Sequence, residues 1–371
     1  MTQNVDRIRV CEPDITNKEI ASVTEAIEAG EVSSTAPPVG RFEKAFAEKV
    51  GVKHAVAVNS CGSALFLTAW ALGIREGDEV IVPTFTMAAT AYAVTQCGAT
   101  PVFVDCEENG NIDVGRIEEK ITEKTKAIFP VHIYGHPCDM DAITAIAKKH
   151  DLLVVEDAAE ALGATYKGSM AGSLSDAGCH SFYANKLITT GEGGMITTDN
   201  STLAEELSKL RGYYLSSGAS RFASHEKLAW NMRMSALEAA LGLAQLERLE
   251  ELVKKRRKNA EDYTTDMASL SHHLVFPEEK EDVFNVYWMY GIVLKEEGKR
   301  NALQEFLAQR GIETRPFFTP MHQVPFYQTE PPEELPVSER LGRNGLYLPS
   351  SSQLSKEQKE RVISAVKEFF V

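Results

Sequence analysis

Two residues of this chain could carry out chemistry together. Asp157 closes a short apolar run, and Lys186 lies further along in a connection that contains Gly191, Gly193 and Gly194. A lysine amine can bond covalently to an aldehyde, and a carboxylate can hold a protonated pyridine nitrogen so that the ring takes up electrons. Pyridoxal phosphate (PLP, or its amino form PMP) needs both groups. The pair therefore predicts a PLP site with Lys186 and Asp157 as its catalytic residues.

Each of these two residues also has a simpler explanation. A lone aspartate at a strand end is more often a helix cap or half of a structural ion pair, and most lysines face solvent. The glycines favour the functional interpretation of Lys186, because they indicate a turn in which a side chain can be aimed. In an open α/β sheet, the carboxyl ends of the strands are also where ligands bind.

A second motif could hold the phosphate of such a cofactor. Residues 55–58 read as a strand, and a turn of small residues that includes Gly62 and Ser63 leads from it into a helix. Helix N-termini bind phosphate through free amide groups and the helix dipole. An ordinary N-cap is the alternative. Ser181 could supply another hydroxyl, or could simply face the core.

Two further residues are candidates for substrate contact. Glu160 follows Asp157 closely enough to share its cavity, although a glutamate in the first turn of a helix is also favoured by the helix dipole. His322 ends an aromatic, proline-containing segment, residues 315–322, of the kind that lines binding sites. A purely structural histidine is the alternative.

Apolar strands alternate with helical patterns over residues 52–200 and predict an α/β fold with a mostly parallel, doubly wound sheet of seven strands. After a helical stretch at 235–269 with a break, the pattern predicts a strand at 286–294 and helices at 301–309 and 356–370. We therefore predict a large cofactor-binding domain with an N-terminal arm, residues 1–250, and a smaller C-terminal α+β domain, residues 251–371. The seven predicted strands are residues 55–58, 79–83, 101–104, 127–131, 152–155, 179–182 and 195–198.

Composition excludes several other classes of protein. The net charge of −14 argues against a nucleic-acid partner, and the basic run 254–258 falls on a helical pattern that indicates a solvated face. The six scattered cysteines favour neither a disulfide framework nor a metal site. Residues 1–6 do not resemble a targeting segment, and no apolar run reaches the roughly 20 residues that cross a bilayer. We expect a cytoplasmic protein with no membrane partner.

These motifs together resemble the DegT-type sugar-nucleotide aminotransferases, which are PLP enzymes of fold type I, and within them the branch that contains the GDP-perosamine synthases. The similarity extends from residues 32–34 to 315–318. The blocks at 156–160 and 186–194 are specific to the family, whereas the block at 77–83 is shared more loosely.

The resemblance implies a role for each candidate residue. Lys186 would carry the cofactor and move the proton between cofactor and substrate carbons, and Asp157 would pair with the ring nitrogen. Asn231, together with Arg233, would reach into the partner subunit's site and make the enzyme a homodimer with shared active sites. The phosphate would be held by Gly62, Ser63 and Ser181. Glu160 would contact the ring oxygen or the sugar, and the sugar nucleotide would be contacted by Ser33, Ser34 and His322.

Two positions depart from the family pattern. Met87 stands where relatives place an aromatic residue over the cofactor ring, and Met232 stands where an aromatic residue is usual between Asn231 and Arg233. Methionine can pack against a ring through its polarisable sulfur. These departures leave the identity of the substrate open and do not affect the cofactor.

The expected reaction is therefore PLP-dependent amino transfer to a nucleotide-linked keto-sugar. GDP-4-keto-6-deoxymannose or a similar 4-keto-6-deoxy sugar is the expected acceptor, and glutamate is the expected amino-acid donor. A PLP-dependent nucleotide-sugar dehydratase is the first alternative, but relatives of that kind replace the lysine with histidine. A non-catalytic regulatory protein of the same fold is the second. Whether the amino sugar would enter a lipopolysaccharide O-antigen or a secondary metabolite stays open.

Overall fold

The computed structural model describes residues 7–214 and 225–371. The prediction that residues 1–6 hold no targeting segment lies outside the described residues. The helices are α1 (Asn17–Glu28), α2 (Pro37–Val50), α3 (Cys61–Ala71), α4 (Ala88–Gln96), α5 (Met140–His150), α6 (Ser201–Leu210), α7 (Ala236–Leu246), α8 (Leu249–Asp266), α9 (Lys299–Gln309), α10 (Pro336–Asn344) and α11 (Lys356–Phe369).

Within residues 7–214 and 225–371 the strands form three sheets. They are β1 (His54–Val58), β2 (Glu79–Pro83), β3 (Thr100–Val104), β4 (Thr125–Ile128), β5 (Leu153–Asp157), β6 (Thr165–Tyr166), β7 (Ser169–Met170), β8 (Ala177–Ser181), β9 (Gly194–Thr198), β10 (Leu274–Val275), β11 (Val283–Phe284), β12 (Tyr290–Leu294), β13 (Arg315–Pro316) and β14 (Gly345–Leu348).

The largest sheet has seven strands in the order β1-β9-β8-β5-β4-β2-β3. Strands β8, β5, β4, β2 and β3 pair in parallel, and β9 runs antiparallel to both of its neighbours, β8 and β1. Each of the seven predicted strands corresponds to one strand of this sheet. The predicted α/β class with a mostly parallel sheet is confirmed.

Helices cover both faces of this sheet, which is why its strands read as apolar runs. Val80 and Val82 of β2 belong to a core cluster that includes residues of α3, α4 and α6. Ile81, between them, packs instead with Met140 and Ile143 of α5. Successive side chains of one strand thus enter different cores, as the two-residue repeat of a strand requires.

A second, four-stranded sheet lies in the later part of the chain. Its order is β10-β12-β14-β13, and every pairing in it is antiparallel. Leu303, Leu307 and Val362, from α9 and α11, pack against its strands. A third sheet joins β11, β6 and β7. The division of the chain into domains near residue 250 stays a prediction.

Some predicted bounds differ from the structure. The helical stretch at 235–269 consists of α7 and α8, separated by residues 247–248. The strand predicted for 286–294 begins only at Tyr290. Its expected first residues leave the sheet, because the Val286 amide donates to the Gly135 carbonyl and the Trp288 side chain lies beside Lys186. No helix within 7–214 or 225–371 has the length and apolar character that a bilayer crossing requires.

Candidate active site

A cavity of about 530 Å³ opens at the edge of the large sheet where its parallel strands have their carboxyl ends. Its walls come from the residues after β5 and β8, from the first turns of α3 and α4, and from the second sheet, which contributes Arg315 and Tyr347. The cavity thus lies where an α/β sheet places ligands. The predicted site residues that line it are Gly62, Met87, Asp157, Glu160, Ser181 and Lys186.

Asp157 is the last residue of β5, and its side chain is only 4% exposed. The Thr90 hydroxyl donates to Oδ2 at 2.7 Å, and the Ala159 amide donates to Oδ1 at 3.1 Å. Burial raises the pKa of this carboxyl, and its two hydrogen bonds and the nearby Lys186 ammonium counteract the rise only in part. A cation placed against Asp157 from the cavity would therefore be strongly favoured.

Lys186 is held in a turn between β8 and β9. Its amide donates to the Tyr183 carbonyl at 2.9 Å, and the Phe182 amide donates to the Gly193 carbonyl at 3.0 Å. Gly193 has a φ of +148°, and a Cβ there would lie 2.3 Å from the Thr190 hydroxyl, so only glycine fits. The turn presents the Lys186 ammonium to the cavity, 4.0 Å from Oε1 of Glu160.

The first turn of α3 lies against this lysine turn. A Cβ at Gly194 would come within 2.5 Å of the Ser60 backbone, so the close approach of the two segments requires glycine there. The Ser60 side chain caps α3 by accepting the Ser63 amide at 3.1 Å, and the Ser63 hydroxyl donates to Asn59 at 2.7 Å. Ser63 therefore sits in the predicted turn but does not itself line the cavity. The space beside Gly62 is open, since a Cβ there would meet only Ser60 Oγ, at 3.8 Å.

Glu160 is buried beside Lys186, and burial raises its pKa to about 7. Its Oε2 accepts the Tyr134 amide at 2.8 Å. Tyr134 has a φ of +56°, a left-handed conformation that is uncommon for a tyrosine and that concentrates at functional sites. The backbone is thus bent to hold this carboxyl group in place.

Four predicted residues lie together but outside the cavity of their own chain. The Arg233 guanidinium donates to the Ser34 hydroxyl at 3.1 Å, and Arg233 forms an isolated bridge with Val58. Ser33 and Asn231 are exposed. The structure therefore groups these residues on the surface of the single chain, apart from Lys186.

His322 also lies outside the cavity. Its side chain is buried, with Nδ1 2.7 Å from the Thr84 hydroxyl and Nε2 3.4 Å from Glu339. Both ring nitrogens thus have protein partners, and this geometry lends no support to substrate contact by His322. Arg315 and Phe318, from the same segment, do line the cavity.

Sequence reasoning missed two residues that contact the central pair. Thr90 binds Asp157 from the first turn of α4, and no motif distinguishes it from other threonines. Trp288 places its ring centroid 3.7 Å from Nζ of Lys186. The only available signal for Trp288 was its place in an aromatic run, which we interpreted as strand.

The described residues fit a PLP group. A buried carboxylate with space in front of it suits a protonated ring nitrogen, a lysine amine stands beside it for the aldehyde, and the N-terminal turn of α3 with Ser181 suits a phosphate. Glu160 adds a second carboxyl group beside the amine. The fold and this site define a PLP-dependent enzyme of fold type I.

Comparison with known proteins supports the assignment of this chain to the PLP-dependent enzymes. A model of the DegT/DnrJ/EryC1/StrS aminotransferase family matches residues 13–367, and the chain belongs to this family. It is 43% identical to a GDP-perosamine synthase of Caulobacter vibrioides over 99% of this chain and 100% of that protein. It is 42% identical to a GDP-perosamine synthase of Escherichia coli O157:H7, with 98% of each chain covered.

The solved structures agree as well. DesV of S. venezuelae superposes with a TM-score of 0.92 at 34% identity, covering 98% of this chain and 99% of that chain. The predicted family, fold, enzyme class and cofactor are confirmed: the protein is an aminotransferase that uses PLP. The roles of individual site residues stay predictions.

Proposed function

We propose that this enzyme transfers an amino group from glutamate to the keto carbon of a GDP-linked 4-keto-6-deoxy sugar such as GDP-4-keto-6-deoxymannose. The main observation that supports this reaction is that the Lys186 amine and the Asp157 carboxylate line the same cavity. The choice of sugar nucleotide is supported by the names of the two GDP-perosamine synthases to which the chain is similar over nearly its whole length.

When bound, PLP supplies an electron sink for the substrate carbon. Asp157 would hold the proton on the ring nitrogen, and this ion pair would satisfy the buried carboxylate. Lys186 would take a proton from the carbon of the donor and later return one to the carbon of the sugar. Glu160 has a pKa of about 7, so it could hold or release a proton. It would orient the reacting groups beside Lys186.

The two alternatives are disfavoured by Lys186. A dehydratase of this family would have histidine in place of this lysine, and a purely regulatory protein would not need an amine and a carboxylate facing one cavity. A Lys186→Ala variant tests all three hypotheses. We expect it to lose both turnover and the absorbance of lysine-bound PLP, whereas Lys209→Ala, which alters a half-buried lysine paired with Glu205 outside the cavity, should retain both. Unchanged turnover in Lys186→Ala would contradict the proposal.

The substrate is tested in two stages. The enzyme is first converted by glutamate to the amino form of its cofactor, which removes the PLP absorbance. GDP-, UDP- and dTDP-linked keto-sugars are then offered separately, and the return of the PLP absorbance identifies the acceptor. Recovery with only a UDP- or dTDP-linked sugar would overturn the choice of GDP. Recovery with none would overturn the sugar-nucleotide assignment, and a failure of glutamate to remove the absorbance would overturn the donor.

We also propose a homodimer with shared active sites, in which Asn231 and Arg233 of one copy complete the site of the other. Support comes from their position outside the cavity of their own chain, next to Ser34. Mixing Lys186→Ala with an Asn231→Ala/Arg233→Ala double variant should restore activity, because each mixed dimer then has one intact site. Mixing Lys186→Ala with Asp157→Asn should not, since both defects stay within one chain's contribution. Equal recovery in the two mixtures, or none in either, would contradict shared sites.

A cytoplasmic location is the last part of the proposal. All six cysteines are free, and five of them are buried. Free thiols suit a reducing compartment. Fractionation of the source cells with an antibody against the chain tests this, and recovery outside the cytoplasmic fraction would contradict it.

A further inference from the structure

Trp288 contacts the catalytic lysine segment at two points. The centroid of its ring lies 3.7 Å from Nζ of Lys186, and its indole Nε1 donates to the carbonyl of Asn185 at 2.8 Å. The tryptophan is only 5% exposed, and it lines the cavity. One side chain therefore touches both the reacting amine of Lys186 and the backbone immediately before it.

Two other side chains hold this arrangement in place. Arg256 is buried, and it donates from one nitrogen to the Trp288 carbonyl at 2.6 Å and from another to the Cys11 sulfur at 3.0 Å. The Cys11 thiol in turn donates to the Asn185 carbonyl at 3.1 Å. Trp288 and Cys11 thus both donate to the Asn185 carbonyl, and Arg256 of α8 links these two residues. This network holds the indole ring beside the lysine.

The ring face offers the ammonium a particular kind of contact. The face of an indole attracts a cation through its quadrupole, most strongly where water is excluded. Because the ring is neutral and cannot accept the proton, it holds the ammonium without forming a salt bridge. The only carboxylate oxygen paired with Lys186 among the described residues, Oε1 of Glu160, is 4.0 Å away. Trp288 therefore offers the ammonium a resting position that does not take its proton.

We propose that Trp288 is a positioning residue that holds the ammonium of Lys186 against its ring whenever this amine is not bonded to the cofactor. Amino transfer frees the lysine in each half-reaction, and a free, flexible ammonium would otherwise sample positions remote from the substrate carbon. The proposal rests on the aminotransferase activity and is independent of the sugar, the nucleotide and the amino donor.

The first test measures the accessibility of the amine. The full chain is loaded with pyridoxamine 5′-phosphate, which leaves Lys186 free, and is treated briefly with acetic anhydride; acetylation of Lys186 is then quantified by peptide mass spectrometry. Trp288→Leu, which lacks the ring face, should be acetylated ~5-fold faster at Lys186 than the unaltered enzyme. Trp288→Phe keeps a ring face and should stay within about twofold of the unaltered enzyme. Equal rates in all three proteins would overturn the proposal.

A matched control is available in Trp70. Its ring lies 3.7 Å from the guanidinium carbon of Arg75, a similar cation–ring contact that belongs to a different part of the fold. Trp70→Leu should leave the acetylation of Lys186 unchanged. If Trp70→Leu raised it as much as Trp288→Leu does, the effect would be general loosening of the fold, and the proposal would be wrong.

A second measurement covers the case in which Trp288→Leu does not fold. Lys186→Met removes the ammonium from the indole face and should change the tryptophan emission of the full chain. The same substitution in a Trp288→Phe background should leave the emission unchanged, because the reporting ring is absent. An emission change of equal size in both backgrounds, or none in either, would overturn the contact. Neither test uses a sugar, so a failure here is distinct from a failure of the substrate panel.

Discussion

Glu156 and Asp157 are neighbours in β5, but their carboxylates point to opposite faces of the sheet and have different surroundings. Glu156 is completely buried and accepts hydrogen bonds from His132, Gly172, Leu174 and Ser175 at 2.7 to 2.9 Å. Among the residues that the structure describes, Asp157 accepts only from Thr90 and Ala159, and it faces the cavity.

The pKa values of the two carboxyl groups are shifted in opposite directions. Burial alone would raise the pKa of Glu156, but its hydrogen bonds, first among them that from His132, lower it instead. The Cys138 amide donates to Nδ1 of His132, so the imidazole carries its proton on Nε2 and donates it to Glu156. For Asp157 burial prevails, and the pKa is raised. A carboxylate with a complete set of donors stabilises the fold, whereas one with an incomplete set is available to a ligand.

The sharpest test of this comparison is Asp157→Asn. The substitution keeps the shape of the side chain and removes the charge that would hold the proton on the cofactor ring. We expect kcat/KM to fall by at least about 10²-fold. Because the charge is buried without a full complement of donors, its removal should shift the thermal midpoint of the cofactor-free chain by no more than about 2 °C. Steady-state kinetics and thermal unfolding measure the two effects.

The comparison would fail if Asp157→Asn lowered stability strongly while activity per folded molecule stayed high. Asp157 would then belong to the same class of structural carboxylate as Glu156. Asp139→Asn is a suitable control for general effects, since this aspartate caps α5 away from the cavity.

Glu156→Gln should show the opposite pattern. An amide nitrogen would face two donors whichever way the side chain is turned, so buried donors would lose their acceptor. We expect the free energy of unfolding to fall by about 3 kcal/mol. Activity measured well below the unfolding transition should stay near that of the unaltered enzyme, because Glu156 does not face the cavity.

Denaturant unfolding monitored by circular dichroism checks this expectation. Glu108→Gln, an exposed glutamate paired with Arg340, should leave the unfolding midpoint almost unchanged. An unchanged midpoint in Glu156→Gln would show that the four hydrogen bonds contribute little to stability.

The fold could be predicted to the extent that burial leaves a simple pattern. Strands covered on both faces, such as β2 and β5, read as apolar runs and were located to within one or two residues. Two-residue strands such as β6 and β13 leave no pattern of their own, because they are set by the chains they pair with. The residues before β12 predict a strand because they are aromatic. In the structure, however, the Val286 amide binds the Gly135 carbonyl and the Trp288 ring contacts Lys186.

Site residues could likewise be predicted only where a sequence pattern lies next to them. Asp157 and Lys186 could be singled out because a strand end and a glycine-rich turn lie next to them in sequence. Thr90 and Trp288 could not, since each reaches the site from an element far away along the chain. His322 was chosen for its aromatic segment, but sequence could not show that Thr84 and Glu339 occupy its ring nitrogens.

A pH prediction follows from Glu160, which is on the cavity side with Asp157. Its folded-state pKa of about 7 exceeds the ordinary value of 4.5. Between these values the unfolded chain has released the proton that the folded chain keeps, so the free energy of unfolding should fall as pH rises through this window and level off above about 7. The contribution should be roughly 1–3 kcal/mol.

Glu160→Gln should remove this slope from the cofactor-free chain, and unfolding measured at several pH values tests it. Glu192→Gln, an exposed glutamate at the same cavity, should retain the slope. A slope that persists unchanged in Glu160→Gln would assign it to other groups and remove Glu160 from the cavity side of the comparison.

The finest distinction concerns the hydrogen bond from Thr90 to Asp157. If the function of Asp157 depends on its having these two hydrogen-bond donors, the loss of one should have two effects. It should alter the proton affinity of the cofactor ring and the orientation of the carboxylate. We expect Thr90→Val, which keeps the side-chain shape, to lower kcat/KM by about tenfold and to shift the pH at which the cofactor absorbance changes. Thr90→Ser retains the hydroxyl and should restore both. A Thr90→Ser variant as impaired as Thr90→Val would mean that the methyl group, and hence packing, is what matters at this position.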